Sequence, residues 1–567
     1  MLTHLLLPLL LVQGTSERHE ALSGPSYVPV VEANLQRQLT KGLALLEEGK
    51  GREALAKVLP ILRDPDLDPG LPYGARETRN FHLLLQARLA DCPPATRTAF
   101  AGGLEDEALR VLSRLPREAR AFRAFLRAYP GTKAFDQARR ILLDLQLESG
   151  DWVGAARLVD AAQDPARPQE ILRTLRDRER QRHPWSHVDG YEDGSPTPAR
   201  IDLPEKGEPV LRGQSGPWQL ASAFARGIVG KDAEGREFAV FQDPLRLQIL
   251  EGKDRGYARK EINLALMTSL EGGEQEPPGP ALCGSRLFLV HGGASRHRPG
   301  RRPAGTVPEL FALDLTRPER PVAKWRWSPA QEGEQAPFSK ESRLRPRVLA
   351  ACGRVFVLLV DPQDRVNVRV HLCCFAQEQA GEGKGFAPAR LLWSQLLAKG
   401  SPLSASLLRS RQEELELSDL RPAAPILHQG VVYAGTGLGV LAAVDADTGA
   451  LLWSFRTARA KTSSAQTWRN GRIAIQGDSL LYTPSDGQWL YRLHCHPGTR
   501  DAMIGEARQA RSLSRLLGVD TGLPRSYFLR GESPAGEDNV QEIRPLYLDA
   551  DGRYDAPPLE GRGRLMA

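Results

Sequence analysis

The chain has 567 residues, 41% of them hydrophobic, with 53 Gly and 43 Pro, which excludes a wholly disordered or fibrous protein and fits a turn-rich folded one of more than one domain. Its 76 Lys and Arg stand against 69 Asp and Glu, a net charge of +7 that is small for this size and gives no support to a polyanion binder or a nucleic-acid partner. Six cysteines are too few for a disulfide framework and read as mostly free and buried.

At the N-terminus, Leu5 to Val12 (LLLPLLLV) is an apolar run of signal-peptide length, too short to span a bilayer. Residues 1–14 are expected to form an export signal with small residues before a cleavage near Thr15, although no Lys or Arg precedes the run. No Cys follows to carry a lipid, and no later segment approaches transmembrane length. An exported chain in the periplasm or cell envelope is the expectation.

Residues 25–183 have helical spacing. Phe122, Phe125, Leu126 and Tyr129 recur at i, i+3, i+4 and i+7, as do Ala138, Ile141, Leu142 and Leu145. Pro130-Gly131-Thr132 separates these two helices; Gly150 then closes the second, and Asp151 N-caps a third whose apolar side is Trp152, Ala155, Ala156 and Val159. Leu46 to Val58 (LEEGKGREALAKV) echoes Leu147 to Val159 (LESGDWVGAARLV), with Ala54 and Ala155 at matching positions. Their separation is close to three periods of about 34 residues, the tetratricopeptide length. The segment is read as a tetratricopeptide-like α-solenoid of helical hairpins that offers a concave surface to a protein, or else as a helical bundle packed on the next domain.

Residues 184–216 are rich in Pro and Gly and form the expected linker. Beyond it the period drops toward two, and residues 217–567 are expected to be β. The best-formed unit is Val431 to Phe455: an apolar run, a glycine turn, a second run ending in Asp445, the turn Ala446-Asp447-Thr448-Gly449, then Leu451-Leu452-Trp453-Ser454-Phe455. Glycine turns feeding a strand recur at Gly235, Gly284, Gly353, Gly430 and Gly471, with a weaker copy at Leu523 to Leu529. The second half recurs as Leu310 to Asp314 followed by Trp325 or Trp327, and as Ala389 to Ser394 around Trp393. Each such sheet alone would leave strand edges and one apolar face bare, and radial packing covers the faces.

This grammar resembles the PQQ-like, quinoprotein-type propeller repeat. The resemblance implies a β-propeller of about six to eight blades, in which Asp314, Trp327, Trp393, Asp445, Thr448, Gly449 and Trp453 are structural positions of the repeat. It also raises a PQQ- and calcium-dependent alcohol oxidoreductase, since related dehydrogenases stack a vicinal disulfide on the quinone. Cys373-Cys374 is such a pair, but in the strand-like run Val370 to Phe375 adjacent side chains face opposite ways, so two buried cysteines are expected. No C-x-x-C-H haem signature is present. Non-catalytic proteins with the same repeat, such as the propeller subunit of the outer-membrane β-barrel assembly machinery, show that the repeat by itself implies scaffold and not enzyme.

His494-Cys495-His496 places two imidazoles on one strand face but lacks further ligands nearby, so no metal site is assigned. The basic loop Arg296 to Arg302 suits anionic glycan or lipid headgroups, or simple solvation. The sequence expectation is therefore a non-catalytic scaffold with protein partners and no cofactor. A quinoprotein oxidoreductase and an envelope glycan-binding module are the alternatives.

Overall fold

The computed structural model describes residues 32–64, 69–159 and parts of 167–174, the strands between 222 and 263 and between 508 and 555, and the strands with their shorter turns between 281 and 504. Side chains are described for the helices and for the central sheets. The export signal, the linker and the basic loop Arg296 to Arg302 lie outside the described residues.

The N-terminal part contains helices α1 (Ala33–Glu47), α2 (Gly51–Leu62), α3 (Phe81–Asp91), α4 (Pro94–Ala101), α5 (Glu105–Leu112), α6 (Ala119–Ala128), α7 (Lys133–Ser149) and α8 (Trp152–Leu158). The local chemistry sets their ends. Thr132 caps α7 by accepting from the Phe135 amide at 3.1 Å, Gly150 ends it in the left-handed region, and Asp151 Oδ1 accepts from the Gly154 amide at 3.2 Å to start α8. The two echoing segments fall on equivalent helix–turn–helix corners, α1 to α2 and α7 to α8, and Ala54 and Ala155 are both fully buried.

A hairpin interrupts the helices: β1 (Gly70–Tyr73) and β2 (Glu77–Asn80) pair antiparallel. No periodicity announces it. Pro72 and four-residue strands give it little intrinsic preference, and what holds it is an edge supplied from far along the chain, because β2 pairs with Leu451–Arg456.

From Ser222 onward the described residues form six sheets, antiparallel except where Ala387–Pro388 pairs parallel with Val322–Trp327. The second contains Ala281–Cys283, Arg286–His291, Glu309–Asp314 and Val322–Trp327; the third, Arg343–Ala351, Arg354–Pro362, Val368–Ala376 and Leu391–Gly400. The fourth contains Ile426–His428, Val431–Gly435, Val440–Asp445 and Leu451–Arg456, extended by β2 and β1 to six strands. The fifth begins with Arg472–Gln476, Ser479–Thr483 and Trp489–His494. By register, Ser479 opposite His494 matches Val431 opposite Asp445, so Gly471 opens the strand before the one that Gly430 opens in the fourth sheet.

Strand alternation explains why these sheets stack. In the third sheet Val355, Val357, Leu359, Cys373 and Phe375 point into a core shared with the second sheet. Phe356, Leu358, Val360, Leu372 and Cys374 point into a core shared with the fourth. The fourth sheet in turn presents Val431, Tyr433, Leu441, Ala443 and Trp453 to Leu480, Tyr482, Tyr491 and Leu493 of the fifth. A sheet buried on both faces needs apolar residues at both parities, which is why these strands read as near-continuous apolar runs. The sheets therefore stack face to face in succession.

The junctions are fastened by tryptophans held in one register. Trp325 lies opposite Ala312, Trp393 opposite Cys374 and Trp453 opposite Ala443, each in the fourth of the strands just given for its sheet. Trp325 Nε1 donates to Gln377 O of the next sheet at 3.2 Å, and Trp453 Nε1 donates to Cys495 O at 3.1 Å. Trp327, two residues beyond Trp325, packs on Phe338 and Phe375.

Trp393 covers the turn after Asp445. Gly449 there has φ 77°, and a Cβ on it would lie 2.6 Å from the Trp393 ring. Gly449→Ala is expected to lower stability by about 2–4 kcal/mol, combining left-handed strain with overpacking, and chemical denaturation of the full chain measures it.

Candidate functional site

The turn Asp445 to Gly449 is where the helices meet the sheets. Asp445 Oδ1 accepts from the amides of Asp447 at 3.0 Å and Thr448 at 2.9 Å, and Thr448 Oγ1 accepts from the Ala450 amide at 3.2 Å. Those bonds satisfy these turn amides from within the turn. They leave the carboxylate of Asp447, nearly buried, to outside partners.

Those partners come from three elements. Arg354, the first residue of its strand in the third sheet, donates through Nη1 to Ala446 O and Asp447 O, both at 2.9 Å. Through Nη2 it donates to Asp447 Oδ1 at 2.6 Å and Asp151 Oδ1 at 3.1 Å. Arg123 of α6 pairs with Asp447 Oδ2 and lies 3.5 Å from Asp151 Oδ2, while Gln146 of α7 donates to Asp447 Oδ2 at 3.1 Å. Arg157 of α8 stands 3.6 Å from Asp445 Oδ2. Two carboxylates and two guanidiniums thus close one compact cluster across the helix–sheet boundary.

Burial opposes the charge on Arg354, but Asp151 and Asp447 outweigh it and hold the guanidinium above its ordinary value. Burial first, then the Asp151 charge, pushes the Asp447 carboxyl above the usual carboxylate range, against the pull of Arg123 and Arg354.

Apolar packing reinforces the cluster. Val153, Ala155, Ala156 and Ile171 join the core between the third and fourth sheets. Gly430, at φ 75°, leaves no room for a side chain because its Cβ would lie 2.7 Å from Val153 O.

At the hairpin, buried Arg79 donates through Nη1 to Gly498 O at 2.6 Å and through Nη2 to Arg500 O, pairs with Glu77, and stacks over Tyr73 with Cζ 3.6 Å from the ring centroid. Glu77 Oε1 accepts from the Ala502 amide at 2.8 Å, and Asn80 Nδ2 donates to Leu451 O at 3.2 Å. The helices are therefore joined to the sheets by a charge cluster, a shared core and two added strands.

The candidate reactive residues are placed apart. Cys373 and Cys374 form no disulfide and are fully buried, in the cores on opposite faces of the third sheet. Burial pushes the Cys374 thiol far up, so it is protonated at neutral pH. His496 bonds Gln429 Oε1 at 3.0 Å inside the interface, and no group of three or more metal-ligating side chains is found among the described residues. Asp314 ends its strand opposite Arg286, and its side chain is outside the described residues. Sequence reasoning missed Asp447, Arg354, Asp151's second role, and the hairpin.

Two imidazoles are held neutral. Burial, then Arg157 and His428, lowers His496 to about 3; burial and Arg369 lower His371 to about 4 against the pull of Asp361. A folded value depressed below the unfolded 6.5 means the unfolded state takes up protons first, so stability is lost as pH falls below about 6.5. Each histidine contributes a slope of about 1.4 kcal/mol per pH unit down to its folded value. His496→Asn and His371→Phe are expected to flatten the stability curve between about pH 6 and 4, read by urea unfolding. An unchanged slope in both would refute neutral burial.

No family model and no curated protein matches this chain. Among solved structures it is similar to BamB from Moraxella catarrhalis, at 11% identity over 62% of this chain and 90% of that one, with TM-score 0.33. It is also similar to the quinohemoprotein alcohol dehydrogenase ADHIIG from Pseudomonas putida HK5, at 11% identity and TM-score 0.28. That match covers 59% of this chain and only 54% of the dehydrogenase. A third is the PQQ-bound aldose sugar dehydrogenase from Streptomyces coelicolor, at 13% identity over 61% of this chain and 99% of that one, with TM-score 0.26.

Proposed function

We propose that the protein is an exported, non-catalytic interaction scaffold of the cell envelope: a PQQ-like propeller of six to eight blades, residues 217–567, with a helical arm fixed to one of its junctions. The observation that carries this reading is how the reactive side chains are used. The vicinal cysteines that a quinone site would pair as a disulfide are not bonded to each other and lie in the cores on opposite faces of one sheet. The carboxylates and guanidiniums of the helix–sheet boundary are spent on each other. Such a construction favours a rigid surface that presents arm and sheets to a protein partner in one fixed orientation.

The test is titration of the full chain with PQQ and calcium, alongside affinity capture from envelope extracts. Expected are no quinone absorbance retained after gel filtration, no dye-linked alcohol oxidation, and one envelope protein recovered in stoichiometric amount. Stoichiometric quinone with alcohol oxidation would instead establish the oxidoreductase reading. Salt-sensitive retention on anionic glycan, lost on neutralising Arg298, Arg301 and Arg302, would establish the glycan-binding one.

A further inference from the structure

Three successive junctions follow one plan with one exception. At the junction of second and third sheets, Gln377 O takes two donors, Arg286 Nη1 at 2.7 Å and Trp325 Nε1 at 3.2 Å. At the junction of fourth and fifth, Cys495 O also takes two, Tyr433 Oη and Trp453 Nε1, each at 3.1 Å. The corresponding carbonyl between third and fourth is Ala446 O, since the Ala446 amide bonds Gly430 O just as the Gln377 amide bonds Gly353 O.

Ala446 O accepts from Arg354 Nη1, the counterpart of Arg286 by register, which lies opposite Ala376 as Arg286 lies opposite Asp314. Yet the third tryptophan of the series, Trp393, has a buried Nε1 with no hydrogen-bond partner among the described residues. This is also the junction where the arm docks. Here Arg354 Nη1 is shared between two carbonyls while Nη2 is drawn onto Asp447 and the arm's Asp151.

We propose that this junction is a two-state element coupled to the arm. With the arm docked, Asp151 and Asp447 draw Arg354 across the junction and the Trp393 indole stands open; with Asp151 withdrawn, the indole joins Arg354 on Ala446 O as Trp325 joins Arg286 on Gln377 O. An open buried N–H disfavours the docked state, and the charge cluster opposes it, so the balance is set by Asp151. A partner that pulls on the arm is thereby felt inside the sheet stack, and stiffening of the stack is felt by the arm, because coupling between two sites is reciprocal.

The test uses the full chain labelled with fluorotryptophan, its resonances assigned by single Trp→Phe variants, together with indole hydrogen exchange. In the parent, the Trp393 N–H is expected to exchange at least tenfold faster than those of Trp325 and Trp453. Asp151→Asn keeps the helix cap and removes the charge. In it, Trp393 exchange is expected to slow to the level of the other two and its resonance to shift, while theirs stay in place.

A second variant needs no arm movement. Trp393→Phe and Trp453→Phe share the loss of ring volume, but only the second breaks a bond, so Trp393→Phe is expected to lower the melting midpoint by about 2 °C less. A Trp393 resonance unmoved in Asp151→Asn, or a Trp393→Phe midpoint that falls as far as that of Trp453→Phe, overturns the proposal.

Discussion

Deletion of residues 25–183 is expected to leave a remainder that aggregates and lacks a cooperative unfolding transition. The deletion removes the two outer strands of the fourth sheet and uncovers the edge of Leu451–Arg456, which β2 otherwise pairs. An uncovered edge is a template for association between chains. It also strips Val153, Ala155, Ala156 and Ile171 from the core between third and fourth sheets, opening that core to water. At about 25 cal/mol per Å² of apolar surface, exposure on this scale costs several kcal/mol.

The same cut takes Asp151 from Arg354 and both Arg123 and Gln146 from Asp447, which leaves the two charges paired only with each other and adds to the loss. These losses together rival the 5–15 kcal/mol by which a domain is typically stable. Size-exclusion chromatography and circular dichroism of residues 184–567 decide the matter. A monomer that unfolds cooperatively at the parent's midpoint would show the arm to be a separable module.

That expectation bears on what the amino-acid sequence discloses by itself. The fourth sheet is legible because its information is local: a glycine before one strand, an Asp-x-x-Thr-Gly turn after the next, and Trp453 close behind that turn; the other sheets keep the apolar runs and a tryptophan at looser spacing. The α7–α8 corner is legible for the same reason, through Thr132, Gly150 and Asp151. Opposite orientation of Cys373 and Cys374 follows from the two-residue period alone and is found.

The hairpin is not legible, because β2 is a strand only where Leu451–Arg456 offers it an edge. Nor does sequence disclose the arm's docking point. Asp445 satisfies the turn amides and leaves Asp447 looking redundant, and its partners Arg354 and Arg123 come from a different sheet and from the helices. One signal was available. A second acid in a turn that needs only one, together with an arginine directly after a turn glycine, marks a junction with a charge to place.

Arg354→Ala is expected to be the most damaging single substitution outside the apolar cores, at about 3–5 kcal/mol, because it leaves Asp447 buried beside Asp151 with Arg123 as its remaining guanidinium. Arg354→Lys is expected to recover little. A single ammonium cannot reach the Ala446 and Asp447 carbonyls on one side and two carboxylates on the other, as the planar fork does. Arg123→Ala should cost less, since Arg123 is about a quarter exposed and water can replace part of what it supplies.

The arrangement also fixes how the substitutions combine. Asp447→Ala removes the acceptor for Arg354, Arg123 and Gln146 at once, so Arg354→Ala in that background should add little further loss. Contacting pairs of this kind show coupling of about 0.5–3 kcal/mol, and the upper part of that range is expected here. Urea unfolding of the four corners of the cycle measures it, with hydrogen exchange in α8 reporting whether the arm loosens with the cluster. Strict additivity, with α8 still protected, would mean that the hairpin and the shared core hold the arm without the charges.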